Sequence, residues 1–252
     1  MNSLPRLQIC RLGRISYRDA WSLQKKLADL RKKKWIDDTL LLLEHDPVIT
    51  YGRNVGSGSL LLDEVSLKQR GIELVESDRG GDATYHGPGQ LVVYPIIDLK
   101  IDMPDVRKYV WSLEECMISV MAEYGLEGDR VDGAPGAWIR AKNSSEIDQK
   151  MGAVGVRLSR WVTHHGVGFN VNTDLSSFQL IVPCGLTDKG VTSLQQMLGQ
   201  AQTQSALLDF ATVQDQFIEH FARLFQREVI EIAPLALGKT VEELTQSIEE
   251  SP

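Results

Sequence analysis

Cys184 stands between a proline and a glycine, in Ile181-Val182-Pro183-Cys184-Gly185-Leu186, so its thiol sits on a rigid turn and not in the middle of an element. A thiol held there is both positioned and reachable, and its natural chemistry is nucleophilic attack. Near its ordinary pKa of about 8.5 it is only a few per cent thiolate at neutral pH, so it needs an activator. Lys150 opens the small, apolar run Met151-Gly152-Ala153-Val154-Gly155-Val156. Partial burial at that strand end would lower its pKa toward a value useful for proton transfer. A solvated strand-end lysine is the plainer alternative. His164-His165, just before Gly166, offers another base for a Cys/His pair. Neighbouring strand residues point to opposite faces, so at most one of these histidines is expected to face a site. Cys116, on an apolar helix stripe, and Cys10, in the first strand, read as buried structural thiols.

The stretch Arg79 to Tyr94 reads RGGDATYHGPGQLVVY, with glycine at 80, 81, 87 and 89. Glycine at that density lets a backbone approach a ligand closely. Two readings stand: a glycine-rich hairpin loop, or a ligand cradle with Arg79 as charged anchor and His86 and Gln90 as a polar wall.

Elements of ordinary kinds must position these groups. Leu7–Leu12, Thr39–Glu44, Val48–Tyr51, Ile72–Glu76 and Leu91–Leu99 read as strands, with a turn at Asp46-Pro47. So do Ala137–Arg140, Lys150–Ser159 and Trp161–Val171, the last two joined by a tight turn near Ser159-Arg160. Tyr17–Lys34 carries Ala20, Leu23, Leu27 and Leu30 at helical spacing behind a capping Ser16. Val106–Tyr124 and a final long helix, Ala206–Phe225, follow the same period. Strands come in groups, which predicts an α+β domain with helices packed on a mixed sheet. Glu228 to Pro252 reads as a small acidic C-terminal extension of a domain spanning residues 1–227.

Composition narrows the function. With 252 residues and 42% hydrophobic content, the chain can bury a substantial core. A formal net charge of -7 argues against nucleic acid as a general partner. No apolar run approaches the ~20 residues of a membrane span, and no secretory or organellar leader is visible, so a cytoplasmic protein is expected. The three cysteines have no metal-ligand spacing. Lys25, Lys26, Arg31, Lys32, Lys33 and Lys34 crowd the end of the first helix, either as a docking patch or as cations suited to a helix C-terminus.

Five segments together resemble a known family. Arg79-Gly80-Gly81-x-x-Thr84-Tyr85-His86-x-x-Gly89-Gln90-x-Val92-x-Tyr94 is similar to the signature of the lipoyl(octanoyl) transferases. Lys150-x-Gly152-Ala153-x-Gly155-Val156-Arg157 resembles the family's lysine segment, and Trp161-Val162-Thr163-x-His165-Gly166 with Asn170-Val171 resembles the strand after it. Pro183-Cys184-Gly185 matches the cysteine segment, and Leu43-Glu44-His45-x-Pro47-x-x-Thr50-x-Gly52 the N-terminal motif. The five occur in order between about Leu7 and Leu224.

The resemblance implies the fold of biotin and lipoate protein ligases. It also implies transfer of an octanoyl (or lipoyl) group from acyl carrier protein to a lysine of lipoyl domains, in 2-oxoacid dehydrogenase E2 subunits and in the glycine cleavage H protein. By that resemblance Cys184 forms an acyl-enzyme thioester and Lys150 is its partner and general base. Arg79, Gly80, Gly81, Asp82, Ala83, Thr84, Tyr85 and His86 would line the acyl pocket with Ala153, Val154, Gly155, Gly166, Val167 and Gly168. No cofactor or ATP is implied, because the donor is already an activated thioester. The rivals are an ATP-dependent lipoate ligase, a non-catalytic acyl-binding module, and a Cys/His hydrolase.

Overall fold

The structure, a computed structural model, describes residues 4–52, 56, 58–143, 145–182, 189–201 and 208–249. β1 (Arg6–Ile15) leads into α1 (Tyr17–Lys32). Ser16 caps that helix as the sequence predicts, its hydroxyl accepting from the Asp19 amide at 3.2 Å. β2 (Asp38–His45) and β3 (Val48–Tyr51) flank the expected turn, followed by α2 (Glu64–Gln69) and β4 (Glu73–Glu76). The glycine stretch is not one loop: it contains β5 (Ala83–His86) and runs into β6 (Gln90–Ile96). Then come α3 (Val106–Glu123), β7 (Gly136–Ile139), β8 (Gln149–Ser159) and β9 (Val162–Asn170). The tight turn between β8 and β9 uses positive φ at Arg160 and Trp161. β10 (Gly190–Val191), α4 (Leu194–Ala201), α5 (Phe210–Phe225), β11 (Glu228–Glu231) and α6 (Pro234–Glu249) complete the described chain. α5 therefore starts later than the predicted Ala206, which lies outside the described residues, and it is not the final helix.

Eight described strands form one mixed sheet in the order β10-β8-β9-β6-β2-β1-β11, with β7 also paired to β8. Its helices lie on both faces, and β2 shows why. Leu40 and Leu42 enter the core shared with α3 and α5, whereas Leu41 and Leu43 enter the core shared with α1 and α6. On α5, Val213, Phe217, Phe221 and Phe225 are all buried. Each phenylalanine contributes roughly 1.5–3 kcal/mol by leaving water. A second, three-stranded sheet, β4-β3-β5, packs Ile49 and Tyr85 against Leu67 and Ile181.

The acidic C-terminal segment is built into this core. β11 pairs in parallel with β1, Arg6 opposite Glu228, and α6 lays Leu237 and Val241 against the α1 face. Just before it, Arg227 reaches the buried Asp38 at 3.0 Å and Asp102 at 2.6 Å, while Arg31 takes the other oxygen of Asp38 at 2.7 Å. No helix among the described residues is long and apolar enough to cross a membrane.

Candidate active site

A cavity of about 1350 Å³ opens beside β8 and β9, with Lys150 on its wall. From the glycine stretch, Arg79, Gly80, Gly81, Asp82, Ala83, Thr84 and His86 line it. Ala153, Val154 and Gly155 of β8 and Gly166, Val167 and Gly168 of β9 line it as well. Tyr85 does not share the cavity with them. It follows Thr84 on a strand, so it turns to the opposite face and meets Phe178 edge-on, with ring centroids 5.5 Å apart.

The arginine expected to anchor a ligand anchors its own loop. Buried Arg79 donates to the Thr50 carbonyl at 2.7 Å, to the Thr50 hydroxyl at 3.1 Å and to the Gly80 carbonyl at 3.0 Å. The loop is pressed onto β8 by a bond from the Gly80 amide to the Val156 carbonyl, 3.0 Å. Gly155 is what permits that approach, since a Cβ there would meet the Gly80 oxygen at 3.1 Å and the Arg79 stem at 3.3 Å. Asp82 accepts from Ser59 at 2.8 Å and from the Ala83 amide at 2.7 Å. His86 donates from Nδ1 to the Gln90 oxygen at 2.6 Å, Gln90 donates to Asn170 at 2.9 Å, and Asn170 donates to the Thr192 carbonyl at 3.0 Å. This buried chain joins the glycine stretch to the segment beside Lys150, because the Thr192 amide donates to the Lys150 carbonyl at 3.0 Å.

Four histidines are buried around this wall, and burial holds them neutral. It pushes His45 down to about 4 and His164 to about 4. His86 falls to about 3, with neighbouring His45 adding to the effect of burial. His45 donates from Nδ1 to the Ile15 carbonyl at 2.9 Å, so its Nε2 accepts from the Tyr94 hydroxyl at 2.7 Å. Of His164 and His165 only one faces the cavity, as the alternation predicts, yet their rings converge on one partner. His165 adopts a positive φ of 57°, which brings both rings to Asp78, at 3.5 Å and 2.8 Å. Only His165 lines the cavity. Its hydrogen bond holds the Asp78 carboxyl well below the usual range, while burial lowers His165 itself.

The donor atoms of Asp78, His164 and His165 lie within 4.8 Å of one another, close enough for a metal ion. However, Arg157 sits 3.8 Å from Asp78. Nδ1 of both rings is also buried without a hydrogen-bond partner, whereas ligating histidines normally donate their second nitrogen. The cluster fits a hydrogen-bonded clamp between the glycine stretch and β9.

Lys150 is half-buried at the start of β8. Its ammonium donates to the Pro135 carbonyl at 3.1 Å and lies 4.7 Å from the centre of the Trp138 ring. Cys184 lies outside the described residues. On either side of residues 183–188, Val182 and Lys189 line the same cavity as Lys150. The Val182 amide is tied to the Ser59 carbonyl at 2.9 Å, and Val191 pairs with Lys150 in the sheet. Cys10 and Cys116 are fully buried; burial lifts the Cys10 thiol to about 11 and Cys116 further up, so both are inert as expected. Sequence reasoning missed Trp138 and Tyr17, which also line the cavity. Trp138 carried a signal, an aromatic on a short strand before the lysine segment. Tyr17 carried none, being the first residue of an ordinary helix.

Residues 16–222 match the model of the lipoyl protein ligase A/B catalytic domain family. A bi-partite lipoate protein ligase from Thermoplasma acidophilum has the same fold, with a TM-score of 0.66 at 16% identity over 97% of this chain and 93% of that one. A biotin protein ligase from Aquifex aeolicus aligns with a TM-score of 0.50 at 13% identity, over 96% of this chain and 76% of that one. The class is thus a lipoate ligase-like catalytic domain, as the sequence implied. A curated relative from Desulforamulus reducens, an octanoyltransferase, is 43% identical over 224 residues, which is 88% of this chain and 92% of the relative. The chain belongs to the octanoyltransferase family, acyltransferases that move octanoyl groups.

Proposed function

We propose that the chain moves an octanoyl group from octanoyl-acyl carrier protein to a lysine of lipoyl domains through a thioester on Cys184, with Lys150 as the base. One observation carries the reading. The described residues that flank the cysteine segment on both sides, Val182 and Lys189, line the cavity that Lys150 and the glycine stretch also line. In the first half-reaction Lys150 holds the proton of the Cys184 thiol, the thiolate attacks the donor carbonyl, the donor's C–S bond breaks, and the carrier's sulfur leaves with that proton as a thiol. In the second, the amine of the acceptor lysine attacks the acyl-enzyme, an amide forms as the C–S bond to Cys184 breaks, Cys184 leaves as a thiolate, and Lys150 takes the proton that the amine releases. Each partner protein visits the cavity in turn, and no ATP enters the balance. The acceptors fitting this chemistry are E2 subunits of 2-oxoacid dehydrogenases and the glycine cleavage H protein.

Intact mass measured after incubation with octanoyl-acyl carrier protein tests the covalent step. One octanoyl adduct is expected, absent in Cys184→Ala; the same adduct in that variant, or none in the parent, would falsify the thioester. Lipoylation dependent on ATP and free acid would point instead to a ligase. A Cys/His hydrolase is disfavoured by His165, whose Nε2 is committed to Asp78 and whose Nδ1 is closed off from solvent.

The walls suit an unbranched chain. Burying about seven octanoyl carbons at about 0.8 kcal/mol each contributes on the order of 5 kcal/mol. Gly155→Ala should lift the Arg79–Gly81 segment off β8 and lower kcat/KM for octanoyl transfer about tenfold, with a smaller loss for hexanoyl. Equal losses for both donors, measured side by side, would show that Gly155 does not shape the slot.

A further inference from the structure

We infer that Trp138 is a positioning residue for the transfer, holding the Lys150 ammonium over its indole face and, with Lys189, setting how readily that ammonium gives up its proton. The inference rests on the reading of Lys150 as the base. Trp138 lines the cavity yet is only 1% exposed, its ring covered by protein atoms, the two lysine ammoniums over it among them. Its Nε1 donates to the Ala134 carbonyl at 3.0 Å, which fixes the plane of the ring. The Lys150 ammonium lies 4.7 Å from the ring centre and the Lys189 ammonium 5.9 Å from it, so two cations share one aromatic platform. Gly136 lets β7 approach β8, since a Cβ there would clash with the Gly152 carbonyl and also meet the Lys150 Cε at 3.3 Å.

Beside the Pro135 carbonyl that accepts from it at 3.1 Å, opposed effects act on the Lys150 amine. The ring quadrupole favours the ammonium form when the cation sits within about 6 Å of the ring centre. The second cation on the same ring favours the neutral form. Two carboxylates near this corner, Asp148 and Glu114, have other partners. Asp148 takes Lys189 at 3.2 Å and Arg140 at 3.1 Å. Glu114 takes Arg130 at 3.1 Å and the Gly136 amide at 2.9 Å. Trp138 and Lys189 are therefore the two groups whose removal moves the balance, Lys189→Met also taking from Asp148 its lysine partner, which acts in the same direction.

The test is the pH profile of kcat/KM for octanoyl transfer in Trp138→Leu, Trp138→Phe, Lys189→Met and Lys150→Ala. A base must be neutral to work, so the rate rises with pH through the Lys150 transition. Trp138→Leu should move that rise to lower pH by about half to one unit, with kcat down about tenfold. Trp138→Phe should restore most of both. Lys189→Met should move the rise the opposite way. Profiles of Trp138→Leu and Lys189→Met that coincide with the parent's, while Lys150→Ala is inactive, overturn the role of Trp138 alone. Full activity in Lys150→Ala instead overturns the base assignment on which it rests. If Trp138→Leu does not fold, Lys189→Met decides: no shift in its profile overturns the inference.

Discussion

Lys150→Ala is expected to lower kcat for octanoyl transfer by about a thousandfold, inside the 10²–10⁴ range that a positioned acid–base group supplies. The substitution is a clean probe because the side chain is half-buried at a strand start and lines the cavity, with its carbonyl and not its amine in the sheet pairing. Removing the stem leaves a small, water-accessible space, so the melting temperature should change by only a few degrees. The acyl-enzyme should still form, more slowly, since a thiolate can attack an activated thioester without a base beside it. Transfer onward to the lipoyl domain should be the step most impaired. Steady-state rates, single-turnover transfer from preloaded enzyme and a melting curve together check this. A kcat within tenfold of the parent would remove Lys150 from the chemistry, and would favour the hydrolase-type arrangement that spares it.

Acid should unfold this protein well before its carboxylates titrate. His45, His164 and His86 are held near 4, 4 and 3 by burial, against about 6.5 in an unfolded chain. Between about pH 6.5 and 4 the unfolded chain binds more protons than the native one, so stability rises with pH across that window and falls on acidification. At about 1.4 kcal/mol per unit for each histidine, moving from pH 7 to pH 5 should cost on the order of 5 kcal/mol for the three together. Asp78 adds to this only further down. Its carboxyl is held low by His165, so its contribution is present above about pH 4 and lost below. Urea unfolding at pH 7 and pH 5 measures the difference. A change under about 1 kcal/mol would mean that these rings gain protons without unfolding, through water that reaches them.

The framework of the fold is visible in the sequence where period and burial coincide. α1 and α3 announce themselves because their apolar residues recur every three or four positions between polar ones. β2 does so because five successive apolar or threonine residues, bounded by Asp37-Asp38 and the Asp46-Pro47 turn, are strand-length and fit a strand covered on both faces. β5 is hidden because Ala83-Thr84-Tyr85-His86 is only four residues long and stands between glycines, too short for its alternation to be read; it is a strand on account of its pairing with β3, Ile49 opposite Tyr85. That hidden strand is also why Tyr85 is misplaced when the stretch is read as a loop. β11 is hidden for a different reason: all four of its residues are exposed, and only the neighbouring edge of β1 recruits them. In the site, the glycines and Lys150 are legible from type and spacing. The convergence of His164 and His165 is not, because it depends on one left-handed residue inside β9. Cys184 lies outside the described residues, and its proposed role rests on the sequence.

The buried carboxylate at Asp38 has one answering charge close by and another very far along the chain. Arg31 precedes it by 7 residues, whereas Arg227 follows it by 189. At the pace of synthesis, roughly 5–20 residues per second, the second guanidinium emerges about 10–40 s after the first. Throughout that interval the central strand holds a carboxylate only half compensated, and the strand β1 that it pairs with still lacks its outer neighbour β11. A ribosome paused before residue 227 therefore holds a sheet without its β11 edge and a buried carboxylate with one of its two guanidinium partners.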